Sequence, residues 1–144
     1  MIAFSTLFLP NKKDYILTQV NDINFINSQK IEKISTDELA IRLLKNDKSL
    51  QLIDVRNIEE FNKLALPNAY HTEINNLFSK SWNKILNTRG KINIFYSDGE
   101  LNAKKAALIA KELDVKNVYI LEGGFNNFEK EYLNLNTENL NTTN

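Results

Sequence analysis

The sequence, 144 residues long, contains no cysteine. That absence excludes disulfides, thiolate nucleophiles, cysteine-ligated zinc and iron–sulfur clusters. It leaves the redox compartment open, because a cysteine-free chain suits a reducing or an oxidising environment equally. One histidine, His71, is too few for a histidine-built metal site. Neither a metal nor a cofactor is therefore expected. Charge of one sign is also missing: 18 basic and 18 acidic residues cancel, so no net field draws the chain toward nucleic acid or an anionic membrane. Long hydrophobic runs are absent. Residues 1–10, MIAFSTLFLP, are apolar but fall short of the roughly 20 residues a spanning helix needs, and they lack the basic start of a signal peptide.

What is present is an ordinary globular composition, 42% hydrophobic and 25% charged, sufficient for one domain with its own core. Asparagine is frequent and reads as compositional drift. The chain is organised around residues 91–113, KINIFYSDGELNAKKAALIAKEL. Ile92, Ile94, Phe95 and Tyr96 form a short apolar run with β-branched and aromatic content, and Ser97-Asp98-Gly99-Glu100 breaks it with a turn signal. The period then changes. Ala103, Ala106, Ala107, Ala110 and Leu113 stand three and four residues apart, with lysines between them, which predicts an amphipathic helix. In an open parallel sheet, ligands gather where a strand's carboxyl end passes into a helix N-terminus. Ser97 stands at that place.

The other elements follow from similar signals. Residues 11–33 mix apolar and polar positions and read as short elements of ambiguous type. Ser35 and Glu38 form a capping box ahead of Leu39, Ala40, Leu43 and Leu44. Residues 50–55, LQLIDV, read as a strand, Pro67-Asn68 as a turn, and Leu77, Phe78, Trp82, Ile85 and Leu86 as one helical face closed by Thr88-Arg89-Gly90. Residues 117–121, NVYIL, form a strand, Gly123-Gly124 a turn of unusual dihedrals, and Phe125, Phe128 and Tyr132 one side of a last helix. Strands alternating with helices predict an α/β domain with a mostly parallel sheet. The organisation expected is an extension over 1–33, one domain over 34–133 and a disordered polar tail over 134–144.

Taken together, four of these segments resemble the rhodanese (sulfurtransferase) family. Asp54-Val55-Arg56 followed by Glu60-Phe61 is similar to its D-V-R…E-F segment, and Leu66-Pro67-Asn68-Ala69 to its I-P-G-A turn. Tyr96-Ser97 stands where the family places its strand-end catalytic cysteine, and residues 118–125, VYILEGGF, resemble its closing segment. The resemblance implies a rhodanese-like three-layer fold, a five-stranded, mostly parallel sheet flanked by helices, with a loop that cradles a sulfur species on backbone N–H groups. Family members carry sulfur on a cysteine persulfide. Here Ser97 replaces that cysteine and no other thiol exists. Asp98 and Asn102 also stand where active members carry arginines, and carboxylates at the mouth of a cradle repel small anions.

The expectation is thus a domain without sulfurtransferase activity that serves as a binding or protein-interaction module. Its candidate loop is Ser97, Asp98, Gly99, Glu100, Leu101 and Asn102, supported by Asp54 and Arg56, with no catalytic residue. The Ser97 hydroxyl is expected to cap the helix or satisfy loop N–H groups, and Asp98 and Glu100 to complement the helix dipole. The partner expected is a protein meeting the loop rim together with Trp82 and Phe125; nucleic acid is not expected. The alternatives are an enzyme acting on a small sulfur- or phosphate-type anion through Ser97, and an accessory domain of a sulfurtransferase whose cysteine lies on another chain. Cytoplasmic location is the default. Export or membrane attachment follows only if residues 1–10 are the end of a longer signal or anchor.

Overall fold

The computed structural model describes residues 11–133, so the expectations for residues 1–10 and 134–144 lie outside the described residues. Helices α1 (Lys12–Val20) and α2 (Ile23–Ser28) lead into strand β1 (Glu32–Ile34) and helix α3 (Thr36–Leu44). Strand β2 (Leu50–Asp54), α4 (Ile58–Lys63), β3 (Tyr70–His71), a 3-10 turn (Ile74–Phe78) and α5 (Lys80–Leu86) follow. The second half holds β4 (Ile92–Tyr96), α6 (Leu101–Glu112), β5 (Val118–Leu121), α7 (Gly124–Phe128) and a π-helical turn (Glu129–Leu133). The five strands form one sheet in the order β1-β5-β4-β2-β3. Every pairing is parallel, and β4 lies at the centre, as the sequence reading requires.

Successive side chains of a strand point to opposite faces, and the core divides accordingly. Phe95, Ile53 and Ile120 join the layer beneath α1, α2 and α6, whereas Ile94, Tyr96, Leu52 and Leu121 join the layer beneath α3 and α7. Ala103, Ala106, Ala107 and Ala110 on α6 are fully buried, and their small size lets the helix lie close to the sheet while α1 packs on its other side. Residues 11–33 are more regular than their pattern suggests. Asn11 and Asp22 cap α1 and α2 by accepting from the N–H groups of Asp14 and Asn24, both at 2.9 Å, and Ile16, Val20 and Ile26 are buried in the core. No described helix is long and apolar enough to cross a membrane.

Two expectations need correction. The face read as one helix from Leu77 to Leu86 is two elements, because Ser79 ends the 3-10 turn and starts α5, its hydroxyl accepting from the Trp82 N–H at 3.3 Å. Asparagine is not mere drift either. Asn46, Asn68 and Asn117 have φ of 53, 58 and 55°, the left-handed region that asparagine tolerates best after glycine. In a chain with four glycines, asparagine turns the backbone in its place.

One polar pair crosses the sheet. Gln51 on β2 donates from Nε2 to Asn93 Oδ1 at 2.7 Å and to the Ile85 carbonyl at 2.9 Å. Asn93 on β4 donates from Nδ2 to the carbonyls of Leu86 at 2.9 Å and Lys116 at 3.3 Å. This pair ties β2 and β4 to the ends of their flanking loops. Replacing Asn93 with leucine strips a buried Gln51 donor and two carbonyls of a partner. Urea unfolding of Asn93→Leu is expected to show a loss of ~2–4 kcal/mol; a loss below ~0.5 kcal/mol would show that the pair is dispensable.

Candidate functional site

The site is built where β4 ends. Ser97 is 4% exposed, and the chain turns through Asp98, Gly99 and Glu100 before α6 begins at Leu101. The turn is clasped by the β5–α7 corner. The Phe125 N–H donates to the Ser97 carbonyl at 2.8 Å and the Asn126 N–H to the Asp98 carbonyl at 3.1 Å. Such close approach is why Gly124 is glycine: its φ is 71°, and a Cβ there would stand 2.4 Å from the Asp98 carbonyl oxygen. The Gly-Gly turn read in the sequence therefore serves the loop as well as the strand end.

Glu100 forms the second clasp. Its Oε2 accepts from the Gly123 N–H and its Oε1 pairs with Lys33 Nζ on β1, both at 2.7 Å. Partial burial opposes its charge, but the Gly123 N–H and the Lys33 ammonium outweigh that effect and hold the carboxyl below its usual range. The expected capping roles are thus corrected. Glu100 occupies the N-cap position of α6 in a helical conformation and makes no side-chain cap bond; its carboxylate reaches across to β1 and the β5–α7 turn instead. Ser97 lies too early to cap α6. Its hydroxyl makes no hydrogen bond among the described residues and is not among their fully sealed polar atoms. Leu101 and Asn102 belong to the helix, with Leu101 exposed. Backbone N–H groups from Asp98 to Ala103 donate no hydrogen bond among the described residues; the first to do so is Lys104, to the Glu100 carbonyl at 2.8 Å.

Beneath the loop lies a buried ion pair. Arg56 donates to Asp54 from Nε at 3.1 Å and from Nη2 at 2.7 Å, and Nη2 also donates to the Leu64 carbonyl at 2.6 Å. Its guanidinium lies 4.0 Å from the centre of the Phe125 ring. Asp54 Oδ1 further accepts from the Arg56 backbone N–H at 2.9 Å. The structure places both residues under the loop. Asp98 comes only within 4.0 Å of Arg56 Nη1 and its side chain is 56% exposed.

The structure brings Ser97, Asp98, Gly99, Glu100, Asp54 and Arg56 together around one corner, and it separates others. Phe125 is buried under Arg56 rather than offered at the rim, and Trp82 on α5 is half-buried and edge-on to Tyr70 at 6.1 Å. His71 Nε2 donates to the Arg56 carbonyl at 2.7 Å, across β2 from β4. Among the described residues, no side chain hydrogen-bonds the Ser97 hydroxyl. Sequence reasoning missed Lys33, whose partner is 67 positions away, and the Tyr96 hydroxyl, which accepts from the Leu66 N–H at 3.1 Å. Neither long-range contact has a local signal. Among the described residues, no group of histidine, aspartate and glutamate could hold a metal ion.

An all-parallel sheet with a clasped loop between its central strand and a helix defines the class. The rhodanese-like domain model matches residues 36–131, and the chain belongs to that family. Solved structures agree on the fold. A protein of Rhodopseudomonas palustris described as a possible tyrosine phosphatase superposes with a TM-score of 0.65 at 22% identity, over 80% of this chain and 89% of that one. A rhodanese-related protein of Thermoplasma volcanium gives 0.59 at 23%, covering 70% and 93%. A rhodanese-like domain protein of Staphylococcus aureus gives 0.53 at 25%, covering 71% and 95%. No curated protein matches the sequence closely enough to count as a relative.

Two measurements test the clasps. Because the Glu100 carboxyl is lowered in the fold, its contribution is present above the unfolded value of about 4.3 and is lost as pH falls through the folded value. Glu100→Gln is expected to be less stable than wild type at pH 7, with the gap closing below about pH 4 in denaturant titrations; a gap independent of pH would refute the ionic clasp. Gly124→Ala is expected to lose ~2 kcal/mol or more through strain and overpacking, with the amide signals of residues 97–100 displaced in NMR spectra.

Proposed function

We propose that this rhodanese-like domain binds a partner or ligand at the Ser97 corner and does not transfer sulfur. The observation that carries the reading is a serine, with no base hydrogen-bonded to it among the described residues, at the family's cysteine position in a chain without a thiol. A thiol with a reference pKa near 8.5 supplies usable thiolate at neutral pH. A serine hydroxyl needs a neighbouring base; Asp54 is engaged with Arg56, His71 with a carbonyl and Glu100 with Lys33 and Gly123, and Asp98, exposed and 4.0 Å from Arg56, makes no hydrogen bond to Ser97 among the described residues. The loop is nevertheless held in shape. Its N–H groups without a partner among the described residues and the Ser97 hydroxyl favour an acceptor, either a small oxyanion or a carbonyl or carboxylate of a protein partner. Asp98 at the mouth weighs against the free anion and toward the protein partner.

The test is a thiosulfate:cyanide assay on wild type and Ser97→Cys in parallel, with persulfide detected by mass. Wild type is expected to be silent and Ser97→Cys to gain a persulfide, because the clasped loop would supply the cradle once a thiol is restored. Thiocyanate formation by wild type would overturn the reading.

A further inference from the structure

The zero net charge of this chain conceals a basic surface at the end of the sheet opposite Ser97. Three loops enter neighbouring strands there, at residues 45–49 before β2, 87–91 before β4 and 114–117 before β5. They are tied edge to edge: the Ile92 N–H donates to the Ser49 carbonyl and the Asn93 N–H to the Asn117 carbonyl, both at 2.8 Å, and Lys91 Nζ donates to the Lys48 carbonyl. Together they carry Lys45, Lys48, Arg89, Lys91 and Lys116. Of the carboxylates in these loops, Asp47 is engaged by Arg42 at 3.1 Å and by the Ser49 hydroxyl and N–H. Asp114 lies toward β1, in a cleft of mixed charge with Glu32, Lys111 and Lys116. A second cleft of about 250 Å³, formed by residues 86–91 with Lys116 and Asn117, is lined by Arg89, Lys91 and Lys116 and by no carboxylate. Lys116 stands at the border of the two clefts.

Cations at helix C-termini complement the helix dipole, which accounts for Lys45 beside α3. It does not account for Lys48, Arg89, Lys91 and Lys116, which lie beyond the helix ends. Nor does it account for Leu44, the last residue of α3, which is 87% exposed, or for Tyr70, 48% exposed on the cleft that Lys48 and Lys91 also line. A free phosphate or a nucleic acid backbone would use the cations and leave a protruding leucine without a purpose. A bilayer surface with anionic headgroups uses both: the lysines and arginine for the headgroups, and the leucine and tyrosine for the boundary between headgroup and acyl chain.

We propose that the strand-entry edge of the domain docks on an anionic lipid surface, with Lys48, Arg89 and Lys116 facing the headgroups and Leu44 entering the interface. The opposite, Ser97 corner would then face away from the membrane, accessible to a partner. Flotation of the intact protein with vesicles tests this. Binding is expected to vesicles of phosphatidylcholine with 30% phosphatidylglycerol, to be absent with phosphatidylcholine alone, and to weaken as salt rises. Lys48→Glu with Arg89→Glu is expected to lower binding at least about tenfold, and Leu44→Ser a few-fold, with circular dichroism and melting unchanged because all three side chains are exposed. No binding, equal binding to neutral vesicles, or charge-reversed protein that binds as wild type would each overturn the proposal. So would binding of pyrophosphate or duplex DNA by a protein that ignores the vesicles. Its failure would leave the thiosulfate:cyanide result, and the reading that rests on it, untouched.

Discussion

Taking a carboxylate and a guanidinium out of water costs several kcal/mol for each ion, and a protein recovers that only by saturating both with hydrogen bonds in good geometry. Asp54 and Arg56 meet that demand at the corner where β2 leaves the sheet, and in meeting it they fix everything around them. The guanidinium is held by the carboxylate, by the Leu64 carbonyl and by the Phe125 ring. Its own carbonyl holds His71 on β3. The pair therefore joins β2 to the segment after α4, to β3 and, from the far end of the chain, to Phe125, and the loop bearing Ser97 rests on that junction.

Above it, the loop is specified by backbone as much as by side chains. Two carbonyls receive N–H groups from the β5–α7 corner, Gly124 admits the close approach, and Glu100 bridges to β1. A loop held in so many places keeps its shape whether or not its first residue is a nucleophile. This explains how the rhodanese-like fold persists in a chain with no thiol.

Much of this was legible in the sequence where the signal is local. The change of period between Phe95 and Ala103 marked the central strand and its helix, Ser35 and Glu38 marked the start of α3, and Gly123-Gly124 marked a turn whose second residue the loop depends on. The ordered segments at Asp54, Pro67, Ser97 and Gly123 carried the family. What failed was non-local or conformational. Nothing near Glu100 announces Lys33 or the Gly123 N–H, so proximity in sequence suggested the helix N-terminus instead. Ser79 interrupts a helical spacing that remains in register on both sides of it. Asparagine in the left-handed region looks like any other polar loop residue until φ is known. A net charge of zero likewise says nothing of where the charges lie.

The sheet order has a kinetic consequence. β1 is the first strand in the chain, yet it pairs with β5, the last, Lys33 opposite Ile120. Beyond β5, Glu131 accepts from the Thr36 hydroxyl at 2.6 Å and Tyr132 donates to Asp37, so the two ends of the fold are joined directly. Contacts of such long separation require the entropy of closing a large loop before they return any stability. A ribosome that has delivered β1 through β4 has delivered a sheet that still lacks β5, the strand between β1 and β4, with Lys33 waiting for Glu100 and the clasp on Ser97 waiting for Gly124. The corner takes its final form only when the last strand and its glycine turn emerge, which makes the shape of this site a late event in the birth of the molecule.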